Sequence, residues 1–240
     1  MSRAQGIHDN LAQVLARIAA AERRAGRVAG SARLLAVSKK MPAADVLAAM
    51  TAGQIDFGEN YAQELRDKRI EVQKSAATLP APAWHFIGPL QANKAKYVAG
   101  IAAVIHSLDT PALLDEVNRR VPDLHVQRCL VQVNVAQEAQ KRGVPTEQLA
   151  ALLDHFALCP RLLCVGFMLI PPQDENPEAA RPHFRALREL LHHHAAIERP
   201  GVTLAELSMG MSHDLEVAVE EGATWVRVGT AVFGPRQSPP

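Results

Sequence analysis

Residues 204–229 read LAELSMGMSHDLEVAVEEGATWVRVG, and this stretch indicates the class of fold. A short strand-like run over 204–209 is followed by a helical pattern over 214–221 and a second apolar run over 224–229. Both runs have the length and composition of buried β-strands. Two such strands joined by one helix predict a parallel βαβ unit with a right-handed crossover.

The same alternation extends through the rest of the chain. Further strands are predicted at 34–38, 55–58, 84–87, 103–107, 126–135 and 162–169. Helices are predicted after them at 43–52, 61–74, 91–98, 111–120, 146–158 and 177–195. This α/β pattern favours a closed (β/α)8 TIM barrel, because a parallel sheet needs both faces covered. An open doubly wound sheet is the alternative at this point.

Length and composition agree with one globular unit. The chain has 240 residues, of which 48% are hydrophobic and 21% charged, and a barrel of this kind needs roughly 250. We predict a single domain over 1–240, with an extra amphipathic helix within 1–30 and a tail at 235–240. A formal net charge of +1 gives no indication of a nucleic-acid partner.

Membrane and metal signatures are absent from the sequence. No apolar run approaches the roughly 20 residues that cross a bilayer, and the N-terminus lacks the apolar core of a signal peptide. Cys129, Cys159 and Cys164 contain no CxxC pair, which argues against a disulfide framework or a zinc site. We therefore expect a soluble, cytoplasmic protein without a metal.

Two glycine- and hydroxyl-containing loops follow the last two predicted strands, where ligand sites of such barrels lie. Gly210 and Ser212 follow the seventh strand, and Gly229 and Thr230 end the eighth. Glycine permits close approach of the backbone, and N–H groups at a helix start attract an anion. These loops predict a phosphate site, with ordinary turn chemistry as the alternative.

Lys39 and Lys40 follow the first predicted strand. A lysine opposite a phosphate site can form a Schiff base with a carbonyl compound, and burial favours the neutral amine that attacks. Side chains alternate along a strand, so only one of the two lysines can face the barrel axis, and the spacing does not tell which. The residues alone are also compatible with a solvated loop lysine, or with a phosphosugar enzyme.

Four segments resemble the pyridoxal phosphate homeostasis protein family, also called the proline-synthase co-transcribed family. They are LLAVSK (34–39), FGENYAQE (57–64), HFIGPLQANK (85–94) and SMGMSHDLEVAVEEGATWVRVGTAVFG (208–234). The resemblance implies a single barrel like the N-terminal domain of bacterial alanine racemases. It also implies pyridoxal 5′-phosphate as the cofactor, held by Lys39 as an internal aldimine.

The resemblance further implies a set of residues around the cofactor. Arg227 is similar to the arginine that approaches the pyridine nitrogen. The phosphate would lie near Ser212, Gly229 and Thr230, and Asn60 and His85 would lie around the cofactor. There are two departures from the family pattern. Lys40 replaces a small polar residue, and Phe167 and Leu169 flank Met168 where smaller residues are expected.

These residues favour a carrier over an enzyme. A cation at the pyridine nitrogen disfavours its protonation, which weakens the electron sink of the cofactor. Ten residues follow Thr230, so we expect no second domain to supply the opposite acid or base that racemisation needs. We predict a monomer that holds pyridoxal phosphate and supplies or buffers it, with apo-enzymes as candidate partners. A low-activity amino-acid racemase, with Tyr61 as a weak base, is the alternative.

Overall fold

The described residues of this computed structural model, 2–76, 79–136 and 142–235, form a ring of parallel strands surrounded by helices. The strands of the ring are β1 (Arg33–Val37), β2 (Asp56–Glu59), β3 (Ala83–Phe86), β4 (Val104–Leu108), β5 (Gln127–Asn134), β6 (Leu162–Met168), β7 (Val202–Ser208) and β8 (Trp225–Val228). Each strand pairs with its neighbours in sequence, and β8 pairs with β1. The ring is therefore closed, which confirms the barrel and excludes the open sheet.

Helices cover the outside of the ring. They are α1 (Arg3–Arg24), α2 (Ala43–Thr51), α3 (Ala62–Ser75), α4 (Pro111–Arg120), α5 (Leu149–His155), α6 (Arg181–Ala195), α7 (Leu215–Glu220) and α8 (Thr230–Phe233). None of the helices in the described ranges is long and apolar enough to cross a membrane.

Three details differ from the sequence prediction. The helix predicted at 91–98 is a 3₁₀ helix at Ala92–Tyr97. The helix predicted at 146–158 is α5 with a 3₁₀ turn at each end. A two-residue strand, Val144–Pro145, pairs with the end of β5 and was not predicted. The predicted tail lies outside the described residues except for Pro235.

Alternation along the strands separates two apolar layers. On β1, Leu34 and Ala36 belong to the large core between the barrel and its helices. Leu35 and Val37 instead pack with Ile87 and Trp225 inside the barrel. The direction in which a strand side chain points therefore decides whether it can reach a ligand at the barrel mouth.

The predicted extra N-terminal helix is α1, which packs against α2, α7 and α8. Ser2 caps the helix by accepting a hydrogen bond from the Gln5 N–H at 3.2 Å. Its buried side chains, spaced three or four residues apart, are Ile7, Leu11, Val14 and Ile18. Ion pairs from Arg3 to Asp45 and from Arg17 to Glu216 join it to α2 and α7.

Candidate functional site

Lys39 lies two residues beyond β1, at the C-terminal end of the barrel. Leu35 and Val37 face the barrel interior and Ser38 takes the outward direction, whereas Lys39 and Lys40 lie in the turn that follows, where Lys39 is half-buried. Ser38 is fully buried, and its Oγ donates to Glu59 Oε1 at 2.7 Å. Lys40 is exposed, with a left-handed φ of 60°. The structure thus distinguishes two lysines that the sequence pattern leaves equivalent.

A buried ionic cluster of Lys68, Glu59 and Glu64 lies behind Lys39. Lys68 Nζ donates to Glu59 Oε1 at 2.6 Å and to Glu64 Oε1 at 2.8 Å. It also donates to the Ser38 carbonyl oxygen at 2.7 Å. Glu64 Oε1 accepts the backbone N–H of Lys40 at 2.6 Å. The cluster therefore holds the backbone on both sides of Lys39, including the left-handed turn that is unusual for a residue other than glycine.

Glu59 is the most perturbed acid of this cluster. Its side chain is fully buried, and one oxygen, Oε2, has no hydrogen-bond partner among the described residues. Burial raises the pKa of Glu59 from 4.5 to about 7, because desolvation of the carboxylate outweighs its attraction to Lys68. The carboxyl group therefore changes its charge close to neutral pH.

This raised pKa predicts that stability falls as the pH rises from about 5 to 7. Over that range the folded protein keeps a proton on Glu59 that the unfolded chain has released, so unfolding becomes more favourable as the pH rises. The expected contribution is a loss on the order of 1 kcal/mol per pH unit, which levels off above the folded pKa. Urea unfolding at several pH values should show a weaker dependence in Glu59→Gln. The same change at exposed Glu71 of α3 should keep the wild-type dependence. Equal slopes in the wild type and Glu59→Gln would contradict the assignment.

Arg227 lies on β8 directly opposite Leu35 of the neighbouring β1. Its side chain is buried, and Nη1 donates to Ser208 Oγ at 2.9 Å while Nη2 donates to the Leu169 carbonyl oxygen at 2.8 Å. Burial lowers the pKa of Arg227 to about 10, and the nearby Asp214 carboxylate opposes this shift. The guanidinium is therefore a fixed cation at neutral pH, next to the strand that leads to Lys39.

The predicted phosphate residues occupy two loops that leave the barrel side by side, because β7 and β8 are neighbours. Gly229 ends β8, and a Cβ there would lie 3.3 Å from the Val37 carbonyl oxygen. Thr230 is exposed and begins α8, whose first N–H groups have no carbonyl partner within the helix. Ser212 lies between β7 and α7, and its carbonyl oxygen accepts from Arg17 Nη2 at 3.1 Å. This arrangement suits an anion.

Asn60 is the first residue after β2 and carries an unsatisfied polar atom. Its buried Oδ1 has no hydrogen-bond partner among the described residues. A cleft of about 280 Å³ opens beside it and is lined by Tyr61, Phe86 and Lys94 among others. Another cleft, of about 420 Å³, opens beside Met211 and the loop 171–177. A lone buried acceptor at a cleft is what a bound polar ligand would satisfy.

His85 does not join the other predicted residues at the strand ends. It is buried in the barrel interior, with Nδ1 2.9 Å from His106 Nε2 and Nε2 3.2 Å from Asp56 Oδ1. Asp56 is the first residue of β2, so His85 points towards the N-terminal face of the barrel. A cavity of about 500 Å³ also lies at that face, beside the strand starts at Ala103 and Arg128. It is separate from the site at the strand ends.

Comparison with known proteins identifies the family. Residues 10–237 match the family described as alanine racemase, N-terminal domain. A protein of Aquifex aeolicus (strain VF5), named pyridoxal phosphate homeostasis protein, is 45% identical over 231 residues, which cover 95% of this chain and 98% of that protein. This chain belongs to the pyridoxal phosphate homeostasis protein family.

Solved structures agree with this family assignment. A protein of unknown function from Bifidobacterium adolescentis superposes with a TM-score of 0.90 at 35% identity, over 96% of each chain. PipY of Synechococcus elongatus PCC7942, solved with PLP bound, superposes with a TM-score of 0.79 at 34% identity. That match covers 95% of this chain and 100% of PipY.

Within this pyridoxal phosphate homeostasis family member, sequence reasoning overlooked several residues that support the predicted ones. They are Glu64, Lys68 and Ser208. Glu64 and Lys68 stand four residues apart on a predicted helix, a spacing that pairs opposite charges. That spacing was the available signal for an ion pair, but it does not distinguish a buried pair from a pair on the protein surface. No local pattern marks His106 or Ser208 as neighbours of Arg227.

Proposed function

We propose that this protein binds pyridoxal 5′-phosphate through a Schiff base with Lys39 and acts in vitamin B6 homeostasis as a carrier or buffer. The pairing of β1 with β8 is the observation that supports this most directly. One strand leads to the amine of Lys39, and the other carries the buried cation Arg227 and the loop at Gly229. The cofactor bound by PipY and the name shared by the relatives support the same ligand.

The residues fit the chemical parts of this ligand. The N–H and hydroxyl groups at Ser212, Gly229 and Thr230 would bind its phosphate. Arg227 would face the pyridine nitrogen, and the unsatisfied Oδ1 of Asn60 is available to a donor of the ligand. When bound, pyridoxal phosphate supplies a carbonyl group for the lysine and an electron sink.

Arg227 is also the reason to prefer a carrier. A guanidinium has only donors, so a pyridine nitrogen that bonds to it must be an unprotonated acceptor. An unprotonated ring withdraws electrons weakly. Tyr61, the candidate second base of a racemase, is 51% exposed, and its ring centroid lies 6.0 Å from Lys40 Nζ. We further propose that the protein is a cytoplasmic monomer and that apo-enzymes accept its cofactor.

Borohydride reduction of the loaded protein tests the attachment site. We expect wild type to be yellow, and reduction to fix one cofactor covalently on the peptide that contains Lys39. Lys39→Ala should lose both the colour and the adduct, whereas Lys40→Ala, which changes an exposed neighbour, should keep both. A wild type that cannot be loaded, or a yellow Lys39→Ala protein, would overturn the assignment. In the second case a mass-mapped adduct on Lys40 would identify the actual lysine.

Incubation with L- and D-amino acids in deuterated water separates the carrier from the racemase. We expect no incorporation of deuterium at the α-carbon at rates typical of enzymes, on the order of 1 s⁻¹ or faster, because the ring is a weak electron sink. A bacterial alanine racemase provides the positive control. Incorporation at such rates, lost in Lys39→Ala, would establish the racemase in place of the carrier.

A further inference from the structure

A chain of hydrogen bonds crosses the barrel interior from Arg227 to Asp56. Ser208 Oγ lies 2.9 Å from Arg227 Nη1 and 2.9 Å from His106 Nδ1. His106 Nε2 lies 2.9 Å from His85 Nδ1, and His85 Nε2 lies 3.2 Å from Asp56 Oδ1. We call Ser208, His106, His85 and Asp56 the interior relay. It joins the end of β7, beside Arg227, to the opposite face of the barrel, where β2 begins.

With both histidine rings neutral, the chemistry of the two ends fixes every proton in between. Arg227 can only donate, so Ser208 Oγ accepts from it, and the Asp56 carboxylate can only accept, so His85 Nε2 carries a proton. A neutral His85 then accepts at Nδ1, which requires a proton on His106 Nε2. A neutral His106 accepts at Nδ1 in turn, and the Ser208 hydroxyl donates to it. Each of the four hydrogen bonds then contains one proton, and in each of them the donor is the partner nearer to Arg227.

The surroundings favour the neutral form of His106. His106 and Ser208 are fully buried, and His85 is 1% exposed. Burial lowers the pKa of His106 well below its ordinary value, and the positive charges of Arg227 and of the more distant Arg128 and Arg33 lower it further.

The remaining charges around the relay are largely compensated. Arg33 and Arg128 both pair with Glu206, which also accepts from the Trp225 indole N–H at 2.9 Å. The Trp225 ring packs edge-on against both histidines of the relay. Asp56, with 27% of its side chain exposed, is therefore the acid of the interior relay, and it also reaches water.

We propose that the interior relay positions Arg227 for the pyridine nitrogen of pyridoxal phosphate, and that Asp56 sets its direction from the far face of the barrel. This rests on the proposed function, because it takes Arg227 to face that nitrogen. The relay residues do not touch the ligand, so they are positioning residues. Through them the affinity for the cofactor depends on a carboxylate at the opposite end of the barrel.

Nitrogen-15 NMR of histidine side chains in the apo-protein tests the proton assignment without any cofactor. His85→Gln and His106→Gln spectra identify the two signals. We expect both rings to be neutral with the proton on Nε2 at neutral pH. A proton on His106 Nδ1, or a cationic His106, would overturn the proposal even if the protein binds pyridoxal phosphate.

Asp56→Leu tests the direction set by the carboxylate. Without the Asp56 carboxylate as acceptor, the donors and acceptors of the interior relay can exchange roles. Part of the His106 population should then carry its proton on Nδ1. The dissociation constant for pyridoxal phosphate should rise about fivefold, the effect of one hydrogen bond. Asp56→Asn, which keeps an acceptor oxygen, should restore the Nε2 tautomer, and Asp67→Leu on the exposed face of α3 should leave tautomer and affinity unchanged.

The results separate this proposal from the proposed function. Loss of binding in Lys39→Ala, together with unchanged tautomers and affinity in Asp56→Leu, would leave the carrier function standing and overturn the relay. A wild type that does not bind pyridoxal phosphate would overturn both. A misfolded Asp56→Leu protein is recognised by its circular dichroism, and Ser208→Ala then replaces it. That variant removes the first acceptor of Arg227, and affinity equal to wild type would overturn the proposal.

Discussion

Replacing Lys68 with methionine is expected to lower the free energy of unfolding at about pH 8, where Glu59 carries its charge, by about 3–5 kcal/mol, the loss found when one partner of a buried ion pair is removed. Lys68 is 6% exposed and makes three hydrogen bonds, to Glu59, Glu64 and the Ser38 carbonyl oxygen. Methionine fills a similar volume but leaves the buried carboxyl of Glu59 without a counter-charge. Urea unfolding followed by circular dichroism measures the loss.

Two further variants show whether the ion pair is the cause. Lys74→Met changes an exposed lysine of the same helix and should alter stability by no more than about 0.5 kcal/mol. Glu59→Leu combined with Lys68→Met removes the two buried charges and should recover much of the loss, because the remaining carboxylate, Glu64, is 23% exposed to water. A single Lys68→Met protein as stable as the Lys74→Met control would show that the pair contributes nothing.

The second large effect is expected for Gly88→Ala, with a destabilisation of about 3 kcal/mol, the upper part of the usual range for an overpacked site. A Cβ at Gly88 would lie 2.1 Å from the Asn60 carbonyl oxygen, and backbone on a barrel strand end cannot move away as a side chain can. The displaced segment carries Asn60. We therefore also expect the affinity for pyridoxal phosphate to fall at least tenfold, equivalent to about 1.4 kcal/mol.

Gly58→Ala is the matched control for this effect. Gly58 lies two residues before Asn60, and a Cβ there would meet only side-chain atoms of Ile87 and Leu35, at 3.1 and 3.3 Å. These side chains can adjust, so the loss should be clearly smaller than for Gly88→Ala. Equal stability and cofactor affinity of the two variants would contradict the argument from close backbone approach.

The order of strands and helices was predictable because βα repeats leave a local signal, a short apolar run followed by helical spacing. Closure was not predictable in the same way. It depends on the hydrogen bonds between β8 and β1, such as the register of Leu35 with Arg227, and these join residues far apart in sequence. The eight repeats favoured a barrel with an open sheet as the alternative, and the family resemblance then pointed to the barrel.

The geometry of the candidate site also depends on contacts between residues far apart in sequence, which the local pattern does not reveal. Lys39 and Lys40 are distinguished by a left-handed turn at Lys40 that Glu64 stabilises from another helix. Phe167, which stands where the family pattern has a smaller residue, packs in the outer core, and Met168 faces the interior. A register shift between Cys164 and Gly166 changes the alternation just before them, and a bulge of this kind has no local sequence signature.

Helix α1 has a consequence for how the chain is made. Its apolar side chains, Ile7, Leu11, Val14 and Ile18, are covered partly by α7 and α8, which lie at the other end of the chain. On the ribosome this helix is synthesised about 190 residues before α7 and α8, the surfaces that complete its burial. Until α7 and α8 are synthesised, part of the apolar face of α1 stays exposed to solvent. The growing chain should therefore need protection by a chaperone until its last residues emerge, and cutting off α8 should cause aggregation sooner than loss of secondary structure.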